Sequence, residues 1–214
     1  MKHVVTLLLA LGASGSLLAQ GPAADLLTGR LPADAAAQVR AIAAQASARS
    51  LPVTPLVQKA IEGAAKGIAP ARIVAAVQTL ADQLAGAAGA IRDGGVSLPD
   101  SASVEAGAFA LTAGLDTDQV KRLVEAAPPA ERATALRVAG TLAALGVPPK
   151  QTVALVTRSL DSTADLNTLT GQVEAGMAHG QSAAAAAAGI SHGGRPATSN
   201  PHRPATPRGG SRKP

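Results

Sequence analysis

The sequence predicts an all-α fold: antiparallel helix-turn-helix pairs forming a short helical-repeat superhelix or a bundle, with a disordered C-terminal tail. Three observations carry this. About a quarter of the 214 residues are alanine, and Ala, Leu, Gln, Arg and Glu favour helix. Phe109 is the only aromatic residue and cysteine is absent, which argues against sheets, whose positions favour aromatic and β-branched side chains. One short punctuation recurs between apolar-periodic runs, as Gly67-Ile68-Ala69-Pro70, Gly114-Leu115-Asp116-Thr117 and Gly146-Val147-Pro148-Pro149.

Each copy reads as a hinge from one helix into the next. Gly67, Gly114 and Gly146 stand where an ending helix needs a left-handed residue, which glycine adopts without steric cost. Pro70 and Pro149 suit the first turn of the following helix, where a missing N–H loses no partner. Asp116 takes the capping role in the second copy, with Gln119 completing a capping box. Ile68 and Ile73, Leu115 and Val120, and Val147 with Thr152 or Val153 are the expected staple pairs. A phosphate cradle would need a preceding strand and a longer glycine pattern, and neither is present.

Taken in order, Met1-Lys2-His3 and the apolar run Val4 to Leu11 resemble a secretory signal peptide over residues 1–19, cut after Ala19, with Gly15 and Ala23 as other cleavage points. The run is short for a membrane span. Residues 20–30 form a lead. The helical domain is expected over residues 31–178. Its first helix, near Ala33 to Ala48, carries Val39, Ile42, Ala43 and Ala46 at helical spacing. A turn follows, with Thr54 as a cap candidate, and the next helix carries Val57, Ala60, Ile61 and Ala64 up to Gly67. The longest helix, near Pro70 to Ile91, has Ile73, Val77, Leu80, Ala81 and Leu84 in one stripe. Loop chemistry near residues 93–100 interrupts the pattern. Helices near Ser101 to Ala113 and Asp116 to Ala127 flank the second hinge. Pro128-Pro129 opens a helix to Leu145, and the third hinge leads into one through Val153, Val156 and Leu160. A weaker helix, near Thr163 to Ala178, uses Leu166, Leu169, Val173 and Met177, with Asp161 or Ser162 as its cap. Residues 179–214 hold a six-alanine run, too short to stand alone as a helix, and then a Pro/Gly/Arg tail expected to be disordered.

The net charge of +5 belongs to that tail. No acid follows Glu174, while Arg195, Arg203, Arg208, Arg212 and Lys213 all do. The remaining cations match the acids in number, so the body is neutral and a basic nucleic-acid-binding domain is not implied. The five tail cations are candidates for contact with an anionic membrane or polyanion.

Catalytic and metal patterns fail on inspection. Asp161, Asp165 and Asn167 approach a calcium loop, but Leu166 stands where glycine is needed and Gln172 where glutamate is needed. Asp116 and Asp118 sit at a helix start, where acids are favoured by the exposed N–H groups. His179, His192 and His202 lack the close ligand spacing of a zinc site. Glu62, Glu105, Glu125, Glu131 and Glu174 read as solvated helix positions. The aromatic deficit weakens stacking of sugars or single-stranded nucleic acid, and equally the tight protein interfaces that lean on Trp, Tyr and Arg anchors. No cofactor or metal is expected.

The expected function is therefore that of a non-enzymatic, exported scaffold or adaptor, periplasmic or secreted. Its body would bind a protein or peptide partner through an Ala/Leu/Val groove, and its tail would touch anionic envelope surfaces. A cell-envelope enzyme or enzyme accessory, with carboxylates assembled by the fold, is the alternative. Nucleic-acid binding through the tail is the second.

Overall fold

The computed structural model describes residues 25–161 and 165–191. All helices among them are right-handed α-helices apart from one short 3-10 turn, and no strand occurs among the described residues. The expected signal peptide and the cationic tail lie outside the described residues. The described residues divide into two compact units, with the boundary between Ala88 and Gly89.

In the first unit, a 3-10 turn (Asp25–Leu27) sets Leu27 in the core against the second helix. Helix α1 (Ala33–Ala48) buries Ala35, Ala36, Val39, Ile42 and Ala46, and packs on α2 (Thr54–Ala65). The stripe at three- and four-residue spacing is what burial against a neighbour requires. Thr54 is already inside α2; Val53 takes the cap position and no side chain caps the helix. Pro55 fills the first turn, which leaves fewer N–H groups to cap. Helix α3 (Pro70–Asp93) runs 24 residues, from the first hinge across the boundary between the units. Ile73 lies hard against Gly63: a methyl group there would stand 2.8 Å from Ile73 Cγ1. Ile68 keeps 39% of its surface exposed while Ile73 is buried, so the staple at the first hinge is weak.

The second unit holds three hairpins in succession. They are α4 (Ser101–Thr112) with α5 (Thr117–Ala126), α6 (Arg132–Ala144) with α7 (Pro149–Asp161), and α8 (Leu166–Ala178) with α9 (Ala183–Ser191). First helices pack on first helices, α4 on α6 and α6 on α8, and second on second, α5 on α7 and α7 on α9. This is the nearest-neighbour stacking of a repeat array. Gly114, Gly146 and Gly180 end the three first helices and stand 32 and 34 residues apart.

Counting from these glycines aligns the core. Ser103, Ala135 and Leu169 are buried eleven residues before; Gly107, Ala139 and Val173 seven before; Ala110, Leu142 and Gly176 four before. Val120, Thr152 and Ala186 are buried six after. Large and small residues trade places between layers, which lets neighbouring helices interdigitate.

The hinges share one hydrogen-bond pattern, the Schellman motif, which satisfies carbonyls left over at a helix C-terminus. Gly67, Gly114 and Gly146 have φ of +66°, +106° and +97°. The residue after each glycine donates its N–H five residues back: Ile68 to Gly63, Leu115 to Ala110 and Val147 to Leu142, at 3.0, 3.1 and 3.0 Å. Gly95 and Gly180 repeat the motif after α3 and α8, and Ser50 (φ +57°) does so after α1. At the second hinge Asp116 and Gln119 form the reciprocal capping box, with the Gln119 N–H to Asp116 Oδ1 at 2.7 Å and the Asp116 N–H to Gln119 Oε1 at 3.0 Å.

Three further expectations differ from the structure. Helix α6 opens at Arg132, not at Pro128-Pro129: the prolines lie in a turn closed by the Glu131 N–H on the Pro128 carbonyl at 2.9 Å. A residue before proline resists the helical conformation, which holds Pro128 out of the helix. Helix α8 is capped by Asp165, whose Oδ1 accepts the Asn167 N–H at 2.9 Å. Asp161 is unsuited to that role because it still belongs to α7, and Ser162 lies outside the described residues. The alanine run forms α9, beyond the expected end of the helical domain. Its backbone fits closely on α8, where a methyl group at Gly176 would meet Ala186 Cβ at 2.6 Å. Gln151 Nε2 donates to the Ala184 carbonyl at 2.9 Å, and Arg158 donates to the Ser191 carbonyl. Packing thus supplies what nine residues of isolated helix lack.

Candidate functional site

The outer face of the α4–α6 pair carries a shallow groove of about 370 Å³ lined by Glu105, Ala106, Phe109, Arg137 and Thr141. Repeat geometry places these side chains. Glu105 and Arg137 both stand nine residues before their hinge glycine, and Phe109 and Thr141 both stand five before. Residues four apart lie on one helix face, so the four form two short rows crossing from α4 to α6.

Phe109 is 41% exposed, although Ala108 and Ala110 beside it are buried. Its ring lies over Gly140: a methyl group at that position would stand 2.5 Å from Phe109 Cδ1 and 3.2 Å from Ala110 Cα. A glycine on α6 therefore seats the ring in the gap between the helices. Part of the ring packs and part faces solvent, as suits an aromatic anchor at a binding surface. The Thr141 hydroxyl turns inward along its own helix to the Arg137 carbonyl, at 3.0 Å.

Glu105 and Arg137 are exposed and of opposite sign. The ion pairs among the described residues lie elsewhere: Glu62 with Lys59 and Lys66, and Glu125 with Lys121. On α8 the corresponding positions are Gly171 and Ala175, both exposed, and a methyl group at Gly171 would meet nothing within 4 Å. No bulky side chain stands at these positions beyond α6.

In the first unit a smaller hollow, about 150 Å³, is lined by Arg30, Ile61, Ala64 and Ala65. Its one polar side chain gives it little chemistry.

Carboxylates elsewhere serve local ends. Lys66, through a hydrogen bond, and then Lys59 hold the Glu62 carboxyl below its ordinary pKa. Asp100 accepts the Ser103 hydroxyl at 2.7 Å and the Ser103 N–H at 2.8 Å, and these bonds lower its pKa in that order. Asp116 and Asp165 cap helices. No group of three or more His, Asp or Glu placed to hold a metal ion occurs among the described residues.

The hinge residues Gly67, Pro70, Gly114, Asp116, Gly146 and Pro149 thus sit at helix junctions. The structure does not gather them into a site. Arg195, Arg203, Arg208, Arg212 and Lys213 lie outside the described residues. In the sequence Glu105 reads as a solvated helix position, and nothing local singles out Arg137 or Thr141. Registering the repeats on their glycines is the signal that would have paired them.

None of the described helices is long and apolar enough to cross a membrane. Neither family models, curated proteins nor solved structures gave a match to this chain. The class is therefore defined by its own geometry: stacked helical hairpins punctuated by glycine Schellman turns.

Proposed function

We propose that this protein is a non-enzymatic scaffold or adaptor, exported from the cytoplasm, whose hairpin stack binds a protein or peptide partner and whose cationic tail contacts anionic envelope surfaces. One observation carries the binding role: the chain's single aromatic residue is seated half-exposed in a groove between two repeats, with an acid and a base on its rim. Stacked hairpins generate lateral faces that serve extended partners, and a half-exposed ring offers such a partner apolar area to bury. The Met1 to Ala19 segment supports export. The tail's five cations, unopposed by any acid after Glu174, support attraction to an anionic surface, on the order of 1 kcal/mol per cation.

A photoreactive phenylalanine analogue at Thr141 of the full chain, irradiated in intact cells, tests the groove. A discrete adduct with one protein, diminished by Phe109→Ala, is expected. A diffuse ladder, or an adduct indifferent to Phe109, would count against the reading. Replacing the five tail cations with glutamine should abolish binding to phosphatidylglycerol vesicles at low salt. Undiminished binding by that variant would remove the tail's role.

A further inference from the structure

The geometry points to the chemistry of the partner, an inference that rests on the binding role proposed above. We infer that the Phe109 groove takes an extended peptide segment of a partner protein that carries one cationic and one acidic side chain three residues apart, with an apolar side chain beside them.

The charges on the rim set this. Glu105 and Arg137 occupy the same position in neighbouring repeats, on adjacent first helices, and neither takes part in the ion pairs described. Packed helices stand about 8–10 Å apart. A segment in polyproline II conformation advances about 3.1 Å per residue and returns to the same side every third residue, a step of about 9 Å. Crossing from α4 to α6, such a segment brings residues i and i+3 over Glu105 and Arg137 in turn. Cation over Glu105 and carboxylate over Arg137 satisfies both, the second as a forked, charge-assisted pair. A segment with two like charges meets repulsion at one of the two positions.

The apolar requirement comes from Phe109, one helical turn along α4 from Glu105, about 6 Å away. A side chain flanking the cation reaches the exposed part of the ring. Proline suits that place, because it pre-forms the conformation and aromatic-lined grooves accept it. The third repeat keeps the path clear, since Gly171 and Ala175 hold the corresponding positions on α8. The chain's own tail does not meet the requirement, as it holds no acidic side chain.

Three fluorescent peptides with cores Lys-Pro-Leu-Glu, Lys-Pro-Leu-Lys and Glu-Pro-Leu-Glu, titrated with the full chain at low salt, test the inference. The mixed peptide should bind about tenfold or more tightly than either like-charged one, and Phe109→Ala should weaken it. Glu105→Arg should shift the preference to the doubly acidic peptide, and Arg137→Glu to the doubly basic one. Both positions are exposed, and circular dichroism with thermal melting verifies that the variants fold; Glu105→Gln and Arg137→Gln, which should flatten the preference, serve where they do not. Equal binding of all three peptides, or preferences that the exchanges leave unmoved, would overturn the inference. The two levels separate cleanly. A Phe109-dependent adduct in cells that persists in Glu105→Arg and Arg137→Glu leaves the binding role standing and removes the charge rule. The absence of any such adduct removes the binding role itself.

Discussion

Gly140 lies so close beneath Phe109 that one added methyl group would stand 2.5 Å from the ring's Cδ1. Two terms oppose each other in Gly140→Ala. Alanine gains about 1 kcal/mol of helix propensity over glycine, while overpacking costs about 1–3 kcal/mol. The ring is half-exposed and can swing away, but Ala110 Cα, at 3.2 Å, is backbone and cannot. A net loss of about 1 kcal/mol is expected in urea unfolding. In a Phe109→Ala background the ring clash is gone but the Ala110 backbone contact stays, so a part of that loss should persist. Gly140→Ala that stabilises the wild-type chain by the full propensity gain would show that the helices do not meet this closely.

The hinge glycines separate backbone strain from packing. At Gly114 an added Cβ would touch nothing within 4 Å, yet φ is +106°. Gly114→Val should therefore cost about 1 kcal/mol or more through conformation alone. Gly89, inside α3, is the control: it too has open space around an added Cβ, but no left-handed φ. Gly89→Ala should stabilise by up to about 1 kcal/mol. Equal effects of the two substitutions in denaturant midpoints would sink the hinge assignment.

These hinges were legible in the sequence because their cause is local. A glycine followed by an apolar residue and then a proline or aspartate specifies a helix end and a helix start within four positions. The aligned stripes of α1, α3 and α5 were legible for the same reason. Helix α9 was not, since six alanines carry no apolar periodicity and the helix is held by its fit on Gly176 of the preceding helix and by Gln151, 33 residues before its partner Ala184. The groove was hidden for a related reason. Glu105 and Arg137 look like ordinary surface residues until the glycines put them in one row, and nothing near Phe109 announces the glycine beneath it.

Asp100 caps α4 through two bonds from one residue, the Ser103 hydroxyl and N–H. Both donate to the ionised carboxylate, so its folded pKa lies below the ordinary value. The cap's stabilisation is fully present above the unfolded carboxyl pKa, about 3.9, and is lost as pH falls through the lower folded value. Asp100→Asn caps a helix comparably but carries no titrating charge. The wild type should be the more stable of the two near neutral pH and should lose that advantage as the solution is acidified. Ser103→Ala should shrink that acid-sensitive part, since the hydroxyl is the larger cause. Parallel stability curves for wild type and Asp100→Asn below about pH 4 would contradict the assignment.

Thr152 tests whether the repeats are equivalent in energy as well as in position. It is fully buried six residues after Gly146, where the other copies have Ile73, Val120 and Ala186. Its hydroxyl donates to the Val147 carbonyl at 3.3 Å, a long bond. If shape governs the position, Thr152→Val replaces that weak bond with a buried methyl group. The bond is worth about 1 kcal/mol at most, and the added apolar burial is of similar size, so the expected change in unfolding free energy is near zero. Thr152→Ser keeps the hydroxyl and deletes the methyl group, and should lose about 1 kcal/mol. The reverse order, with valine costly and serine silent, would mean that the third hinge depends on its hydrogen bond and that the repeat alignment does not describe its packing.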